Sequence, residues 1–142
     1  MLLALILLTA CDGGDDSATG ATSPCEGETR SEPLTIGSAF SGSSTTLTVE
    51  SAEPLPPAFG ENHWVLALDQ GELPLEGCVL SAEPSMPDHG HGGPAPTITE
   101  QGGGLYDLSV QFTMSGYWEL ETQLSCADAG VDDTIVITVC AE

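Results

Sequence analysis

Tyr106-Asp107-Leu108-Ser109-Val110-Gln111-Phe112-Thr113-Met114 shows the most regular alternation of apolar and polar residues in the chain. Apolar side chains occupy every second position, and Asp, Ser, Gln and Thr lie between them. A period of two is typical of a β-strand that has one face in the core and the other in solvent. We therefore predict a strand over residues 106–114, with Met114 as the last member of its apolar row.

Shorter runs with the same period fill the chain from residue 32 onward, and Gly, Pro, Ser and Asn separate them. This part of the chain lacks the periodicity of an amphipathic helix. Seven further strands are predicted, over residues 34–36, 45–49, 64–68, 78–82, 97–99, 118–124 and 135–139. Many short strands with turn residues between them favour an all-β fold, an immunoglobulin-like antiparallel β-sandwich of about seven to eight strands.

The charge of the chain excludes several classes of partner. The 142 residues include 22 acidic ones against a single base, Arg30, so the formal net charge is −21. Nucleic-acid binding needs Lys and Arg to neutralise phosphates, and docking of the folded domain on an anionic lipid surface needs basic residues as well. No run of Asp and Asn has the spacing of an EF-hand calcium loop. We therefore expect no nucleic-acid partner.

The N-terminus resembles that of an exported lipoprotein. Residues 2–8 are wholly apolar, a run that is too short for a transmembrane helix but suits a signal peptide. Leu8-Thr9-Ala10-Cys11 resembles the bacterial lipobox, whose cysteine is lipidated and becomes the new N-terminus, although no Lys or Arg precedes the apolar run. The alternative, a short buried helix, is disfavoured by the polar residues that follow at once.

These signals divide the chain into three parts. Residues 1–10 are predicted to be a lipoprotein signal peptide, residues 11–32 a flexible tether anchored by lipid at Cys11, and residues 33–142 the β-sandwich domain. The tether is predicted from its content of Asp, Gly, Ser and Thr. The expected location is the bacterial cell envelope, where lipidated Cys11 attaches the protein to the membrane and the domain faces the periplasm.

Four cysteines remain once Cys11 carries lipid. An even number in an exported chain implies disulfides, and four cysteines allow three pairings. If successive strands run antiparallel, Cys78 begins a descending strand and Cys126 ends an ascending one, so both point inward at the same end of the sandwich. We therefore favour Cys78–Cys126, which leaves Cys25–Cys140 to tie the tether to the last strand.

The candidate metal-binding stretch is Met86-Pro87-Asp88-His89-Gly90-His91-Gly92-Gly93-Pro94. It holds two of the three histidines and one of the two methionines that follow Met1. Thioether and imidazole ligands together favour copper over calcium and magnesium, which prefer oxygen ligands. The alternative is a surface loop whose histidines are incidental, with Met86 as a plug of the core. Asp88 is open to two interpretations, a turn cap or a partner that orients a metal-bound imidazole.

Counting strand directions brings other candidate ligands to the same end of the sandwich as this loop. With alternating directions, Met114 ends a descending strand and His63 opens an ascending one, so both fall beside His89 and His91. Each keeps a simpler interpretation, Met114 as a core residue and His63 as a solvated one.

Three segments of the chain recur together in one known domain: Met86-Pro87-Asp88-His89-Gly90-His91-Gly92, Gly104-Leu105-Tyr106, and Phe112-Thr113-Met114-Ser115-Gly116-Tyr117-Trp118-Glu119-Leu120. With Asn62-His63-Trp64 and Asp69-Gln70-Gly71 before them, they resemble the YtkA-like domain of bacterial envelope proteins. The resemblance covers roughly residues 62–124. One departure is Ser115, which stands where the family usually has proline.

The resemblance implies a small immunoglobulin-like sandwich and an association with copper handling and oxidase assembly. Carried over by position, the candidate copper ligands are Met86, His89, His91 and Met114, with His63 as an additional candidate. We therefore expect a lipid-anchored envelope protein that buffers copper or delivers it to an envelope protein or oxidase assembly factor. The alternative is an immunoglobulin-like interaction module without metal. No nucleophile elbow, phosphate loop or zincin motif occurs, so we do not expect an enzyme.

Overall fold

The structure, a computed structural model, describes residues 22–142. The predicted signal peptide, Cys11 and the tether up to residue 21 lie outside the described residues. Within residues 22–142 no helix is long and apolar enough to cross a membrane. This part of the chain forms ten β-strands: β1 Ala39–Ser41, β2 Thr46–Glu53, β3 Gly60–Gln70, β4 Leu73–Pro74, β5 Val79–Met86, β6 His91–Gly92, β7 Thr97–Gly102, β8 Leu105–Phe112, β9 Gly116–Cys126 and β10 Val131–Ala141.

The strands form two antiparallel sheets. One has the order β1-β2-β3-β8-β7, with β4 added beside β3, and the other has the order β10-β9-β5-β6. The long strands β2-β3-β8-β7 and β10-β9-β5 reproduce the two sheets of an immunoglobulin constant-type sandwich. The predicted all-β antiparallel sandwich is therefore confirmed. The structure has two strands more than the eight that were predicted. The additional strands are β4 and β6, which have only two residues each and therefore leave no alternating pattern in the sequence.

The core lies between the two sheets and is filled by the alternating residues of the long strands. In β8, Tyr106, Leu108, Val110 and Phe112 are each at most 2% exposed. The Phe112 ring lies between Trp64 and Trp118, with centroid distances of 6.1 and 5.4 Å. Burying side chains of this size stabilises the fold by about 1.5–3 kcal/mol each. The period-of-two pattern therefore identified the inward face of this strand correctly up to Phe112.

Two strand predictions need correction. Residues 34–36 form no strand, because Ile36 and Gly37 make a turn in which Gly37 adopts a positive φ of 90°. The first strand is β1, which pairs with β2. The alternating row of β8 also ends earlier than predicted, because the strand stops at Phe112 and Met114 lies in the bend that leads into β9. Met114 is consequently 39% exposed instead of being part of the core.

Asp133, at the start of β10, joins the two sheets. Its carboxylate accepts hydrogen bonds from the backbone amides of Ser43, Ser44 and Thr45 at 2.9–3.0 Å. It also accepts from the hydroxyls of Ser43 and Thr45 at 2.8 and 2.7 Å. Burial alone would raise the pKa of this carboxyl, but these donors outweigh that effect and hold its pKa far below the usual range. Asp133 thereby fixes the turn between β1 and β2 to the opposite sheet.

The structure contains both of the favoured disulfides. Cys78–Cys126 links the start of β5 to the end of β9, and both cysteines are buried as predicted. Cys25–Cys140 links the N-terminal segment to the end of β10. Residues 22–32, predicted as part of the tether, therefore contact the sandwich. The packed part of the chain begins ahead of the predicted domain boundary at residue 33.

Candidate metal centre

A tight hairpin between β5 and β6 presents the two loop histidines. Met86 and His91 pair across the hairpin. The backbone amides of His89 and Gly90 both donate to the Met86 carbonyl at 3.0 Å, and Gly90 takes a positive φ of 66°, which glycine adopts without strain. Pro87 begins the turn, so the sequence itself favours this tight geometry. The result is that His89 and His91 are both exposed at one end of the sandwich.

His91 contacts Met114 at this end. The Nε2 atom of His91 lies 3.3 Å from the Met114 Sδ atom. The backbone of Met114 is fixed by Trp118, whose Nε1–H donates a hydrogen bond to the Met114 carbonyl at 2.9 Å. The His91 ring also meets the Trp118 ring edge-on, at a centroid distance of 6.0 Å. A buried tryptophan therefore fixes the bend that carries the sulfur and packs against the imidazole that faces it.

The contact of His91 Nδ1, the other ring nitrogen, favours one tautomer of the imidazole. Nδ1 lies 3.2 Å from the Gly92 carbonyl oxygen, which can only accept a hydrogen bond. This contact favours the tautomer with the proton on Nδ1, in which the lone pair of Nε2 faces Met114 Sδ. Histidines that bind metals through Nε2 usually donate Nδ1–H to a carbonyl or carboxylate in this way. In this tautomer His91 and Met114 face each other with two electron-pair donors.

His89 lies near this pair, and Met86 lies beneath it. The ring centroids of His89 and His91 are 5.9 Å apart. Met86, in contrast, is only 2% exposed and packs its methyl group against Gly116, where an added Cβ would lie 2.8 Å from Met86 Cε. The structure therefore brings three of the four predicted ligands together at the surface, and it places Met86 in the core.

His63 is separate from this group. It belongs to β3, where its neighbours Asn62 and Trp64 are buried and His63 itself is exposed. Its contacts are with the Ser109 hydroxyl at 3.2 Å and with the Glu61 carboxylate at 3.5 Å. Its side chain projects from the outer face of the larger sheet, because it alternates with inward residues. The strand count gave the right end of the sandwich for Met114, and the same alternation that buries Trp64 turns His63 outward.

Asp88 makes a contact that sequence reasoning missed. Its carboxylate forms a bidentate salt bridge with Arg30, at 2.8 and 2.7 Å. Hydrogen bonding to Arg30 lowers the pKa of Asp88 and lowers that of Glu28 to about 2. The guanidinium also lies 4.0 Å above the centre of the Tyr117 ring. The presence of one basic residue among 22 acidic ones was a signal that Arg30 would pair, but it did not indicate the partner.

Comparison with known proteins gives a family for this fold. The model of the YtkA-like family matches residues 42–123. The chain belongs to the YtkA-like family. No curated protein and no solved structure matches the chain significantly.

The YtkA-like match extends from just before β2 into β9, so it includes the β5–β6 hairpin and Met114. The match confirms the family resemblance seen in the sequence. Arg30, Cys25 and Cys140 lie outside the matched region. The contact between Arg30 and Asp88 therefore joins a residue outside the matched region to the loop that carries the histidines.

The distance between His91 Nε2 and Met114 Sδ in this YtkA-like domain is compatible with a metal ion bound to both atoms. With bonds of about 2.0 Å to nitrogen and about 2.3 Å to sulfur, two ligand atoms 3.3 Å apart subtend an angle of roughly 100° at a shared ion. This angle is close to that of tetrahedral coordination. Residues 22–142 contain no group of three or more His, Cys, Asp or Glu side chains arranged to hold a metal. A site here would therefore depend on the thioether of Met114 as well as on imidazole.

Proposed function

We propose that this protein is a lipid-anchored protein of the bacterial cell envelope whose YtkA-like domain binds copper, in order to buffer the ion or deliver it. The observation that carries the proposal is the contact between His91 Nε2 and Met114 Sδ at 3.3 Å. His89, with its ring centroid 5.9 Å from that of His91, is the third ligand. The proposed activity is binding, and no catalytic step is involved.

The choice of copper follows from the chemistry of these ligands. Thioether sulfur is a soft ligand that selects Cu(I), whereas imidazole binds copper and zinc alike. Calcium and magnesium prefer carboxylate and carbonyl oxygens. Met114 and both histidines are exposed, so an ion can enter and leave without rearrangement of the core. This accessibility suits a protein that passes its ion to another envelope protein or to an oxidase assembly factor.

The envelope location rests on separate features. The pairing of all four cysteines in the described part of the chain fits an oxidising compartment outside the cytosol. The apolar run and the lipobox-like Leu8-Thr9-Ala10-Cys11 support export and lipidation at Cys11. The proposed arrangement is a periplasm-facing domain that is held at a membrane by lipid. Metabolic labelling with a fatty acid, lost in Cys11→Ser, tests this part of the proposal.

The copper proposal is tested by titrating Cu(I) and Cu(II) into the chain from residue 12 onward, with both disulfides intact. Beside the wild-type chain we would titrate His89→Ala/His91→Ala, and His63→Ala as a matched control. We expect one tight site that the double variant loses and that the control keeps. Because His91 packs on Trp118, tryptophan fluorescence quenching by Cu(II) should follow the same pattern. Weak binding that persists in the double variant would mean that carboxylates collect the ions, and it would overturn the proposal.

A second candidate function is an interaction module without metal. Two apolar side chains of the 54–59 loop favour it, since Phe59 is 64% exposed and Leu55 is 43% exposed. Phe59 directly precedes β3, whose first residue Gly60 pairs with Phe112, so it lies at the same end as the bend carrying Met114. Under this alternative, Phe59→Ser abolishes partner capture by the anchored protein while His89→Ala/His91→Ala leaves it intact. The opposite pattern supports metal-dependent delivery.

A further inference from the structure

The loop that carries His89 is held by one contact from a distant part of the chain. Among residues 22–142, the only hydrogen bonds that loop residues 87–90 make outside the hairpin join Asp88 to Arg30. Arg30 itself is fixed from three sides. Its Nε and Nη2 atoms donate to Glu28 at 2.9 and 2.6 Å, its guanidinium stacks on Tyr117, and its segment is anchored by the Cys25–Cys140 disulfide.

Asp88 has the chemistry to join the metal site but does not. Asp88, His89 and His91 fall within four consecutive positions, and two imidazoles with one carboxylate form a ligand set that binds zinc. Residues 22–142 nevertheless show no such group of three arranged to hold a metal. Both carboxylate oxygens of Asp88 are instead engaged by Arg30.

We propose that Arg30 is a positioning residue that determines metal preference. By binding both oxygens of Asp88 it withholds this carboxylate from a metal ion held by His89 and His91, so that the thioether of Met114 completes the ligand set. The site therefore favours Cu(I) over Zn(II). This inference rests on the proposed copper function and adds to it a reason for selectivity. A free Asp88 would supply a hard oxygen ligand and would convert the same loop into a zinc site.

The experiment compares the affinities for Cu(I) and Zn(II) of five chains, each starting at residue 12: wild type, Arg30→Gln, Asp88→Asn, Arg30→Gln/Asp88→Asn and Glu28→Gln. We expect Arg30→Gln to lower the ratio of Cu(I) to Zn(II) affinity by about tenfold or more, as changes around metal ligands commonly do. Asp88→Asn and the double variant should not gain zinc affinity, because neither has the carboxylate. Glu28→Gln is the matched control, since it removes the negative charge of another partner of Arg30 but leaves the bond to Asp88.

The outcomes separate this inference from the proposed function. A wild-type chain without a defined copper site overturns both. A wild-type copper site together with an unchanged affinity ratio in Arg30→Gln overturns only the role of Arg30. If Arg30→Gln and the double variant lose affinity for Cu(I) and Zn(II) equally, Arg30 has a merely structural role. This result also overturns its role in metal preference. Circular dichroism and thermal melting of each variant identify any chain that is not folded.

Discussion

His91 Nε2 lies 3.3 Å from Met114 Sδ, although the two residues are 23 positions apart in the chain. His91 is placed by the β5–β6 hairpin, whereas Met114 is placed by the bend between β8 and β9. Those two elements meet because β5 pairs with β9, with Ser85 opposite Glu119. The contact therefore depends on the pairing of strands that are distant in sequence.

The two methionines should have different effects on copper binding. Met114→Leu removes the exposed sulfur and should weaken Cu(I) binding by about tenfold or more, with a smaller effect on Cu(II), which depends less on thioether. Met86→Leu is the matched control, because Met86 is buried and a Leu of similar volume should cost less than about 1.5 kcal/mol. Competition titrations with a Cu(I) chelator measure both. A larger loss in Met86→Leu would mean that the buried sulfur is the ligand.

Gly92→Ala should disturb the hairpin that carries His91. A Cβ at Gly92 would lie 2.9 Å from the Pro84 carbonyl oxygen, which belongs to the backbone of β5 and cannot move independently. We expect a loss of about 1–3 kcal/mol of unfolding free energy and weaker copper binding, because β6 must move away from β5. Urea denaturation and copper titration measure the two effects.

Gly93→Ala is the control for that variant. Gly93 follows Gly92 directly in the chain, and a Cβ at Gly93 would meet only ordinary contacts at 3.4–3.5 Å. We expect a change of less than about 0.5 kcal/mol, in the range of ordinary substitutions away from special features. If both variants lose stability equally, the close approach at Gly92 is not the cause.

Asp133→Asn should destabilise the junction between the two sheets. The amide lacks the negative charge that five donors of Ser43, Ser44 and Thr45 stabilise, and its nitrogen faces hydrogen-bond donors. We expect a loss of about 1.5–3 kcal/mol at neutral pH, the range for hydrogen bonds to charged groups. Chemical denaturation measures it, and Asp132→Asn, at an exposed neighbouring position, should have little effect.

The stabilisation by Asp133 should also depend on pH. Its pKa is lowered in the folded protein, so the unfolded chain takes up a proton first as the pH falls. The stabilisation is complete above the unfolded value of about 3.9 and is lost progressively below it, towards the lower folded pKa. The difference in unfolding free energy between wild type and Asp133→Asn should therefore shrink below about pH 4. A difference that stays constant down to pH 2 would contradict this linkage.

The two disulfides should stabilise different parts of the protein. Cys25→Ala/Cys140→Ala should lower the unfolding free energy by about 2–4 kcal/mol and speed amide exchange in residues 22–32, because that segment loses its covalent anchor. Cys78→Ala/Cys126→Ala should cost a similar amount but leave exchange in residues 22–32 unchanged. Hydrogen exchange measured by mass spectrometry tests both. Equal exchange in residues 22–32 for both variants would show that Arg30 and its contacts hold the segment without the disulfide.

Local alternation determined most of the fold. The period of two placed β8 and the inward face of β9, and the strand count placed Cys78 and Cys126 at the same end of the sandwich. Local pattern failed where a turn intervened. The turn at Gly37 replaces the strand predicted over residues 34–36, and the bend after Phe112 ends β8 before Met114, neither of which the apolar pattern alone reveals. Burial of Met86 was also open to prediction, since it has the same parity as Cys78 and Ala82, which face inward along β5.

The sequence by itself determined the all-β class, the cysteine pairing that strand directions favour, and the residue types able to bind a soft metal. These follow from the alternation of side chains along a strand, which is a local property. Only the tertiary structure decided that His91 meets Met114 and that Arg30 binds Asp88 across 58 positions. Contacts of this kind depend on which strands pair and where loops cross, and side-chain periodicity carries no information about either.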